Sequence, residues 1–157
     1  MELTHLAFDF PGKIYRSAMP FSSYDPDGQL IPAYRNKEIS VVVMLTGEEE
    51  SMKVAGRNLL EEYRAQDFEV ICLPISDFGV PKVDAMRETV SQVFAFSQNS
   101  RNIAVHCHAG VGRTGMFLAC LAKLGMGLSP EDSIRWVRGF IPGAIEVFEQ
   151  EEMVRNV

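Results

Sequence analysis

Cys107 and Arg113 are the two residues of this chain whose types and spacing suggest chemistry most directly. The segment between them contains Gly110 and Gly112, which let a backbone fold so that successive N–H groups point into one concavity. Such a concavity binds an oxyanion, and the planar fork of an arginine can grip two oxygens of a phosphate. We therefore expect residues 107–113, here called the cysteine loop, to hold a phosphate above the Cys107 sulfur.

The same loop is expected to activate the Cys107 thiol. A helix predicted to begin at Arg113 would direct its free N–H groups and the positive end of its dipole at the site. Helix N-termini and nearby cations lower a cysteine pKa from about 8.5 to as low as about 3.5, so Cys107 should be a ready nucleophile. A metal site formed by His106, Cys107 and His108 would lack a second ligand pair. A purely structural cysteine would explain neither Arg113 nor the glycines.

Asp77 is a second candidate for chemistry, in the glycine- and proline-containing residues 76–81, here called the acid loop. The loop follows an apolar strand pattern, so Asp77 stands at the carboxyl end of a strand, where it could protonate a departing oxygen. An aspartate in such a loop is more often only a turn former. The presence of the cysteine loop in the same chain favours the interpretation of Asp77 as a general acid.

The cysteine loop and its flanks, residues 106–115, read HCHAGVGRTG. This segment resembles the signature loop, His-Cys-x5-Arg-Ser/Thr, of the protein tyrosine and dual-specificity phosphatase superfamily. The resemblance implies that His106 orients the loop and supports the thiolate, and that the Thr114 hydroxyl eases departure of the sulfur. His108 stands where serine is usual, and we expect it at the rim of the pocket.

The acid loop is similar to a second element of that family. Residues 75–81, ISDFGVP, match the mobile segment Trp-Pro-Asp-x-Gly-x-Pro at Asp77, Gly79 and Pro81, whereas the Trp-Pro pair is absent. The resemblance implies a general acid at Asp77.

Residues 141–150 resemble the glutamine-bearing C-terminal segment of the family. Gln150 matches one of its two usual glutamines, and Glu146 stands where the other, which helps to place the hydrolytic water, is often found. The short length and the Tyr-Arg-Ser sequence at residues 15–17 are similar to compact dual-specificity-like members, including those of prokaryotes. The residues assigned to substrate binding are His108, Ala109, Gly110, Val111, Gly112, Arg113 and Gln150.

Strand and helix patterns alternate along the chain and must position these loops. Buried-strand patterns cover residues 39–45, 68–75 and 103–106, with a short edge-strand pattern at 13–17. Helix patterns cover residues 49–66, 81–94, 113–124, 130–138 and 146–155, and turn signals dominate residues 21–32. The order predicts one α/β domain over residues 1–157, with a mainly parallel sheet of about four to five strands and helices on both faces.

Composition and charge exclude several functional classes. A formal net charge of −6 argues against binding nucleic acid through a broad basic surface. The first eleven residues do not resemble a signal peptide, and no apolar run reaches the roughly 20 residues of a membrane span. We expect a cytoplasmic protein without membrane contact, monomeric by default.

Two other cysteines and an acidic run have simpler interpretations. An odd count of three cysteines fits reduced thiols, and Cys72 and Cys120 are expected to pack in the core. An oxidative disulfide between Cys72 and Cys107 is a minor hypothesis. The acidic residues 48–50 are expected to form the solvated start of a helix, with bracing of Arg113 as the alternative.

These features together predict a phosphomonoester phosphatase that needs no metal or organic cofactor. Cys107 would attack phosphorus, Asp77 would protonate the leaving oxygen, and water would then hydrolyse the phosphocysteine. The expected partner is a phosphorylated protein, with phosphotyrosine as the main substrate and phosphoserine or phosphothreonine as further ones. The alternatives are a phosphoinositide phosphatase, an RNA 5′-phosphatase, a non-catalytic phosphopeptide-binding module and a rhodanese-like sulfur transferase. The first usually has lysines where His108 and Val111 stand.

Overall fold

The computed structural model describes residues 3–157. The strands are β1 (Thr4–Leu6), β2 (Ile14–Ser17), β3 (Ile39–Met44), β4 (Glu69–Cys72) and β5 (Asn102–His106). The helices are α1 (Leu30–Asn36), α2 (Glu48–Ala55), α3 (Leu59–Ala65), α4 (Val83–Gln98), α5 (Gly112–Met126), α6 (Pro130–Phe140) and α7 (Phe148–Asn156). None of these helices combines the length and apolar character that a bilayer span requires.

The five strands form one sheet in the order β1-β2-β5-β3-β4. Only β1 runs antiparallel to its neighbour, so the predicted mainly parallel α/β fold is confirmed. The last residues of the four parallel strands are in register, because Ser17 pairs with His106, His106 with Met44 and Met44 with Cys72. The segments that follow these strands, including the cysteine loop, therefore leave from the same edge of the sheet.

Helices cover both faces of the sheet because the parallel strands are apolar on both sides. A first core packs α4, α5, α6 and α7 against one face, and Cys107 belongs to it. A second core packs α1 and α3 against the other face. Helix α5 is buried from Gly112 to Ala122, as its nearly uniform apolar sequence predicts, so the start of this helix is held rigidly beneath the cysteine loop.

Two sequence predictions about elements were wrong. The segment predicted as an edge strand at residues 13–17 is interior, because β1 pairs with β2 and takes the edge position. The single helix predicted for residues 49–66 is two helices. Gly56 adopts φ 70°, a left-handed conformation that ends α2, and the Asn58 side chain accepts a hydrogen bond from the Glu61 N–H to start α3.

The turn-rich segment at residues 21–32 contains an element that the sequence pattern did not predict, since α1 begins at Leu30. The Asp25 carboxylate is buried beside it and accepts hydrogen bonds from the N–H groups of Gln29 and Leu30, which satisfies two donors at the helix start. Asp25 therefore fixes the path of the preceding loop, which carries Tyr24 to the functional edge of the sheet.

Candidate active site

Cys107 lies at the floor of a cavity of about 210 Å³ at the carboxyl edge of the sheet. Its side chain is almost fully buried, and its sulfur accepts a hydrogen bond from the Gly110 N–H at 3.3 Å. The cavity is lined by Tyr24, Asp77, Phe78, Cys107, His108, Ala109, Gly112, Arg113 and Glu146. The structure thus brings the predicted nucleophile, arginine and acid into one small site.

A larger groove of about 420 Å³ is lined in part by Glu50 and Ile75, both of which bind Arg113. Its remaining lining residues are Gly47, Glu49, Lys53, Pro74 and Ser76. It contains no nucleophilic thiol, so the smaller cavity around Cys107 is the candidate active site, and the groove is adjacent space beside it.

The cysteine loop has its carbonyl groups turned outward. The carbonyl of Cys107 accepts from His106 Nδ1 at 2.9 Å, and that of His108 accepts from the Met19 N–H at 2.8 Å. The carbonyls of the next two residues, Ala109 and Gly110, accept from a guanidinium described below. Because N–H and C=O groups of a trans peptide point in opposite directions, this arrangement turns successive N–H groups inward. An inward row of N–H groups is the anion-binding geometry that the glycines indicate.

The guanidinium that holds the last two carbonyls belongs to Arg16, at the end of β2. Its Nε and Nη2 donate to the carbonyl of Gly110 at 3.0 and 2.7 Å, and Nη2 also donates to that of Ala109 at 2.8 Å. Gly110 has φ +77°, and a Cβ there would lie 2.4 Å from Arg16 Nη2 and 2.2 Å from the Ser17 carbonyl oxygen. A glycine is therefore required at position 110 by both its conformation and its neighbours.

The contacts of His106 define its tautomer. Because the Cys107 carbonyl can only accept, Nδ1 carries the hydrogen, and Nε2 then accepts from the Tyr63 hydroxyl at 2.9 Å. Burial lowers the pKa of His106 to about 4, since desolvation and the charge of Arg113 outweigh the hydrogen bond to Cys107. His106 is therefore a neutral imidazole at physiological pH, fixed at both nitrogens.

Arg113 is oriented by a bidentate pair with Glu50. Nη1 and Nη2 donate to the two Glu50 oxygens at 2.8 and 2.9 Å, and Nη1 also donates to the Ile75 carbonyl at 2.9 Å. Burial acts to lower the Arg113 pKa, but Glu50, Cys107 and Asp77 raise it above the ordinary value. Bracing of Arg113, the alternative role for the acidic run at residues 48–50, is thus what the structure shows for Glu50.

Asp77 extends over the same arginine from the acid loop. Its Oδ1 lies 3.3 Å from Arg113 Nη2 and accepts from the Phe78 N–H at 3.1 Å. The carboxylate is about half exposed, so it faces the space that a bound substrate would enter. Phe78 has φ 59°, in the left-handed region, and its ring is 56% exposed beside the cavity.

Gln150 is buried behind this region and joins two segments. Its Oε1 accepts from the Glu146 N–H at 2.9 Å, and its Nε2 donates to the Gly79 carbonyl at 3.3 Å. Gln150 is not among the residues that line the cavity, whereas Glu146 is. The predicted contact of Gln150 with substrate would therefore be indirect, through the acid loop that carries Asp77.

The remaining predicted residues have distinct positions. Thr114 Oγ1 is buried and has no hydrogen-bond partner within residues 3–157. His108 lines the cavity, with its ring 5.8 Å from that of Tyr24 in an edge-to-face arrangement. Val111 precedes α5 as its N-cap residue and is not a lining residue.

The structure also shows functional residues that the sequence patterns did not identify as such. Arg16 of β2 contacts the cysteine loop and Tyr63 of α3 contacts His106 just before it, and both are distant from their partners along the chain. The Tyr-Arg-Ser sequence at residues 15–17 was the only available signal for Arg16. A strand arginine followed by a buried serine gives no indication of its partner before the sheet order is known.

The predicted burial of Cys72 was wrong, because its side chain is exposed at the end of β4. Cys72 pairs with Met44 and Met44 with His106, so two strand spacings, roughly 10 Å, separate Cys72 from the residue before Cys107, whereas disulfide Cα atoms lie within about 7 Å. Alternation along β4 also places Cys72 on the face of the second core, whereas Cys107 belongs to the first. The folded protein therefore does not present the two thiols to each other.

The fold and the sequence of this loop define the class as the protein tyrosine phosphatase superfamily. A family model described as "Polymorphic toxin system, DSP-PTPase phosphatase" matches residues 26–125, which include both Asp77 and the cysteine loop. The chain belongs to this family of dual-specificity-type phosphatases within the protein tyrosine phosphatase superfamily.

Individual relatives agree with this membership. The zebrafish (Danio rerio) "Protein tyrosine phosphatase domain-containing protein 1" is 37% identical over 80 residues, 51% of this chain and 11% of that much longer protein. The crystal structure of "Tk-PTP in the active form" is 26% identical, with a TM-score of 0.81 over 99% of this chain and 96% of that one. Kinase associated phosphatase has the same fold, with a TM-score of 0.87 at 21% identity over 98% of this chain and 92% of that one.

Proposed function

We propose that the chain hydrolyses phosphomonoesters through a phosphocysteine intermediate, with phosphotyrosine in proteins as its main substrate. The observation that carries this proposal is the buried Cys107 sulfur, at the floor of a cavity that Arg113 and Asp77 also line. The outward carbonyls of the cysteine loop leave N–H groups for the equatorial oxygens of a phosphoryl group.

The proposed first step transfers the phosphoryl group to sulfur. The Cys107 thiolate attacks phosphorus, the bond from phosphorus to the ester oxygen breaks, and Asp77 gives its proton to that oxygen. Arg113 has its Nη1 hydrogens occupied by Glu50 and Ile75, so Nε and the Nη2 hydrogen near Asp77 remain for phosphate. The Glu50 pair thus turns one edge of the guanidinium toward the substrate.

The proposed second step returns the enzyme to its starting state. Water attacks phosphorus, the bond to sulfur breaks, and Asp77 takes the proton from the water. The buried Thr114 hydroxyl, which has no partner within the described residues, would donate to the departing sulfur. Inorganic phosphate and the Cys107 thiolate are the products.

The rim of the cavity supports an aryl phosphate as the preferred substrate. Tyr24 and Phe78 are large exposed aromatic residues that both line the cavity, and His108 contacts Tyr24. Aromatic rings favour edge-to-face and offset contacts with another ring, which a phosphotyrosine offers and a phosphoserine does not. Phosphoserine and phosphothreonine cannot make these ring contacts, so we expect them to be slower substrates.

The test compares one peptide sequence phosphorylated on tyrosine, serine or threonine, together with phosphoinositide vesicles and 5′-triphosphate RNA. We expect the highest kcat/KM for the phosphotyrosine peptide. Acid quenching during turnover should trap a phosphorylated peptide that contains Cys107. Cys107→Ser should abolish both turnover and trapping, whereas Cys72→Ser, which removes an exposed thiol, should preserve both. Turnover by the Cys107→Ser variant would exclude the covalent mechanism.

A further inference from the structure

We propose that Arg16 is a positioning residue that sets the anion-binding conformation of the cysteine loop and gives the site a second buried positive charge. This inference rests on the proposed function, because it assigns Arg16 to the phosphate-binding step. Nothing in the proposed mechanism otherwise uses this side chain, although its guanidinium is only 7% exposed.

The contacts of Arg16 are with two consecutive peptide groups of the loop. The Ala109 carbonyl, which accepts from Arg16 Nη2, belongs to the same peptide group as the Gly110 N–H. That N–H points the other way and donates to the Cys107 sulfur at 3.3 Å. Arg16 and the sulfur therefore hold opposite ends of one peptide group.

The second contact extends the effect by one residue. The Gly110 carbonyl, held by Arg16 Nε and Nη2, shares its peptide group with the Val111 N–H, which is thereby directed away from Arg16. A guanidinium fork can bind both carbonyls at once because its donors lie in one plane at fixed angles, whereas a lysine ammonium is a point charge without that geometry. The identity of the side chain therefore matters as well as its charge.

The charge of Arg16 supports the same conclusion. No ion pair joins Arg16 to a carboxylate anywhere in residues 3–157. Burial lowers its pKa, and proximity to Cys107 and Tyr34 acts in the opposite direction. A buried cation without a carboxylate partner is costly unless an anion lies nearby. The Cys107 thiolate, or a phosphate bound above it, is the anion that the arrangement provides for.

The strand order explains how a residue so distant in sequence reaches the loop. In the parallel pairing of β2 with β5, Arg16 is in register with Val105 and Ser17 with His106, the last residue before Cys107. Strand β2 therefore runs beside the strand that leads into the loop, and its final residues lie beneath the loop's carbonyl side. Gly110 has no side chain, which leaves room for this contact.

The experiment uses Arg16→Lys and Arg16→Met with two measurements that do not depend on turnover. The first is the pH profile of Cys107 alkylation by iodoacetate, followed by mass spectrometry, and the second is the affinity for orthovanadate. Arg101→Met is the matched control, since Arg101 donates to Ser40 Oγ at 2.7 Å at the opposite end of β5, away from the loop.

We expect Arg16→Met to shift the alkylation profile to higher pH and to weaken vanadate binding on the order of 100-fold, the usual cost of misplaced groups. Arg16→Lys should keep the positive charge but lose the fork. We therefore expect it to shift the alkylation profile only slightly, while its vanadate affinity falls clearly. A third variant, Arg16→Ala, leaves space for free guanidinium, which should partly restore its vanadate binding but not that of Arg16→Lys. Arg101→Met should match the wild type in both measurements.

Unchanged alkylation and vanadate binding in either folded Arg16 variant would overturn the proposal, whatever the loss of thermal stability. If Arg16→Met does not fold, the Lys variant alone decides by the same two measurements. Failure of the proposed function would look different, since the wild-type protein itself would then neither bind vanadate nor show selective alkylation of Cys107.

Discussion

His106 shows how one buried side chain supports the cysteine loop without lining the cavity. Its Nδ1 hydrogen turns the Cys107 carbonyl outward, and its Nε2 accepts from Tyr63, whose own pKa is raised mainly by burial. Protonation of Nε2 would turn it from an acceptor into a donor that faces the hydrogen of the Tyr63 hydroxyl. It would also place a positive charge on a fully buried side chain. The neutral form is therefore part of the folded structure.

This neutrality predicts a stability loss in mild acid. Folding lowers the His106 pKa from 6.5 to about 4, so between these values the unfolded chain binds a proton that the folded chain does not. Stability should fall as the pH drops from 6.5 toward 4 and the His106 contribution should level off below that, at a loss of up to roughly 3 kcal/mol. Urea unfolding between these pH values measures the effect.

The control for that measurement is His5, a mostly exposed histidine on β1 whose pKa is lowered mainly by partial burial. His106→Asn should flatten the dependence of unfolding free energy on pH, even if its absolute stability is lower. His5→Asn should change the slope less. Equal slopes in the wild type and the His106 variant would show that His106 is not the group responsible.

Asp77 carries the residue-scale prediction about catalysis. A general acid helps most when the departing oxygen is basic, so Asp77→Ala should reduce turnover of a phosphotyrosine peptide on the order of 10²–10⁴-fold. Turnover of p-nitrophenyl phosphate, whose leaving group hardly needs a proton, should fall much less. Steady-state kcat for both substrates tests this. Equal losses would assign the proton to another residue, with Glu146 the next carboxylate in the cavity.

Sequence alone could predict the residues whose partners are close in the chain. Cys107 and Arg113 are joined by one loop and one helix start, so their spacing in the sequence already limits how far apart they can lie in space. Two other contacts depend on the tertiary fold: Arg16 reaches the loop because of the order of the strands, and Tyr63 reaches His106 because of the face on which α3 packs. Those are tertiary facts, and no local pattern encodes them.

At the scale of elements, the acid loop and the start of α7 are coupled by Gln150. This side chain binds the Glu146 N–H with its oxygen and the Gly79 carbonyl with its nitrogen. The segment that carries Glu146 is also fixed by Arg138, whose guanidinium donates to the carbonyls of Ala144 and Ile145 at 2.8 and 3.0 Å. One partner of the acid loop is thus rigid, and the loop is positioned against it.

Gln150→Glu should uncouple these segments selectively. The carboxylate keeps an acceptor for the Glu146 N–H but has no donor for the Gly79 carbonyl, so the acid loop should lose its attachment. We expect kcat for a phosphotyrosine peptide to fall several-fold, with little change in orthovanadate affinity, because the cysteine loop is untouched. Vanadate affinity that falls as much as kcat would place Gln150 in phosphate binding and contradict the indirect role.

Element boundaries show which sequence signals were sufficient. Strands β3 and β5 and helix α5 could be predicted from the sequence. They are almost fully buried, and such elements consist almost entirely of apolar residues. The break between α2 and α3 was visible in Gly56 and Asn58, but the amphipathic period continues across it and conceals the turn. Propensity and periodicity disagreed there, and the capping residues decided the structure.

At the scale of the whole molecule, two buried arginines lie at the candidate active site of an acidic protein. The net charge is −6, and the acidic residues Asp77 and Glu146 line the cavity, with Glu49 in the adjacent groove. Arg113 lines the cavity and Arg16 lies behind the cysteine loop, and both are almost fully buried. Composition alone gives the sign of the net charge. That the arginines are buried while carboxylates line the cavity could be seen only in the folded structure.

This distribution predicts a preference for basic residues around the phosphorylated residue. Long-range fields act over about 30 Å at 10 mM ionic strength and over about 8 Å at 150 mM. At low salt, a lysine-flanked phosphotyrosine peptide should therefore have a several-fold higher kcat/KM than a glutamate-flanked one, and added salt should bring the two values together. The ratio cancels the phosphate's own charge, since both peptides carry it. A ratio near one at low salt, or one that does not change with ionic strength, would show that the acidic entrance does not select substrates by charge.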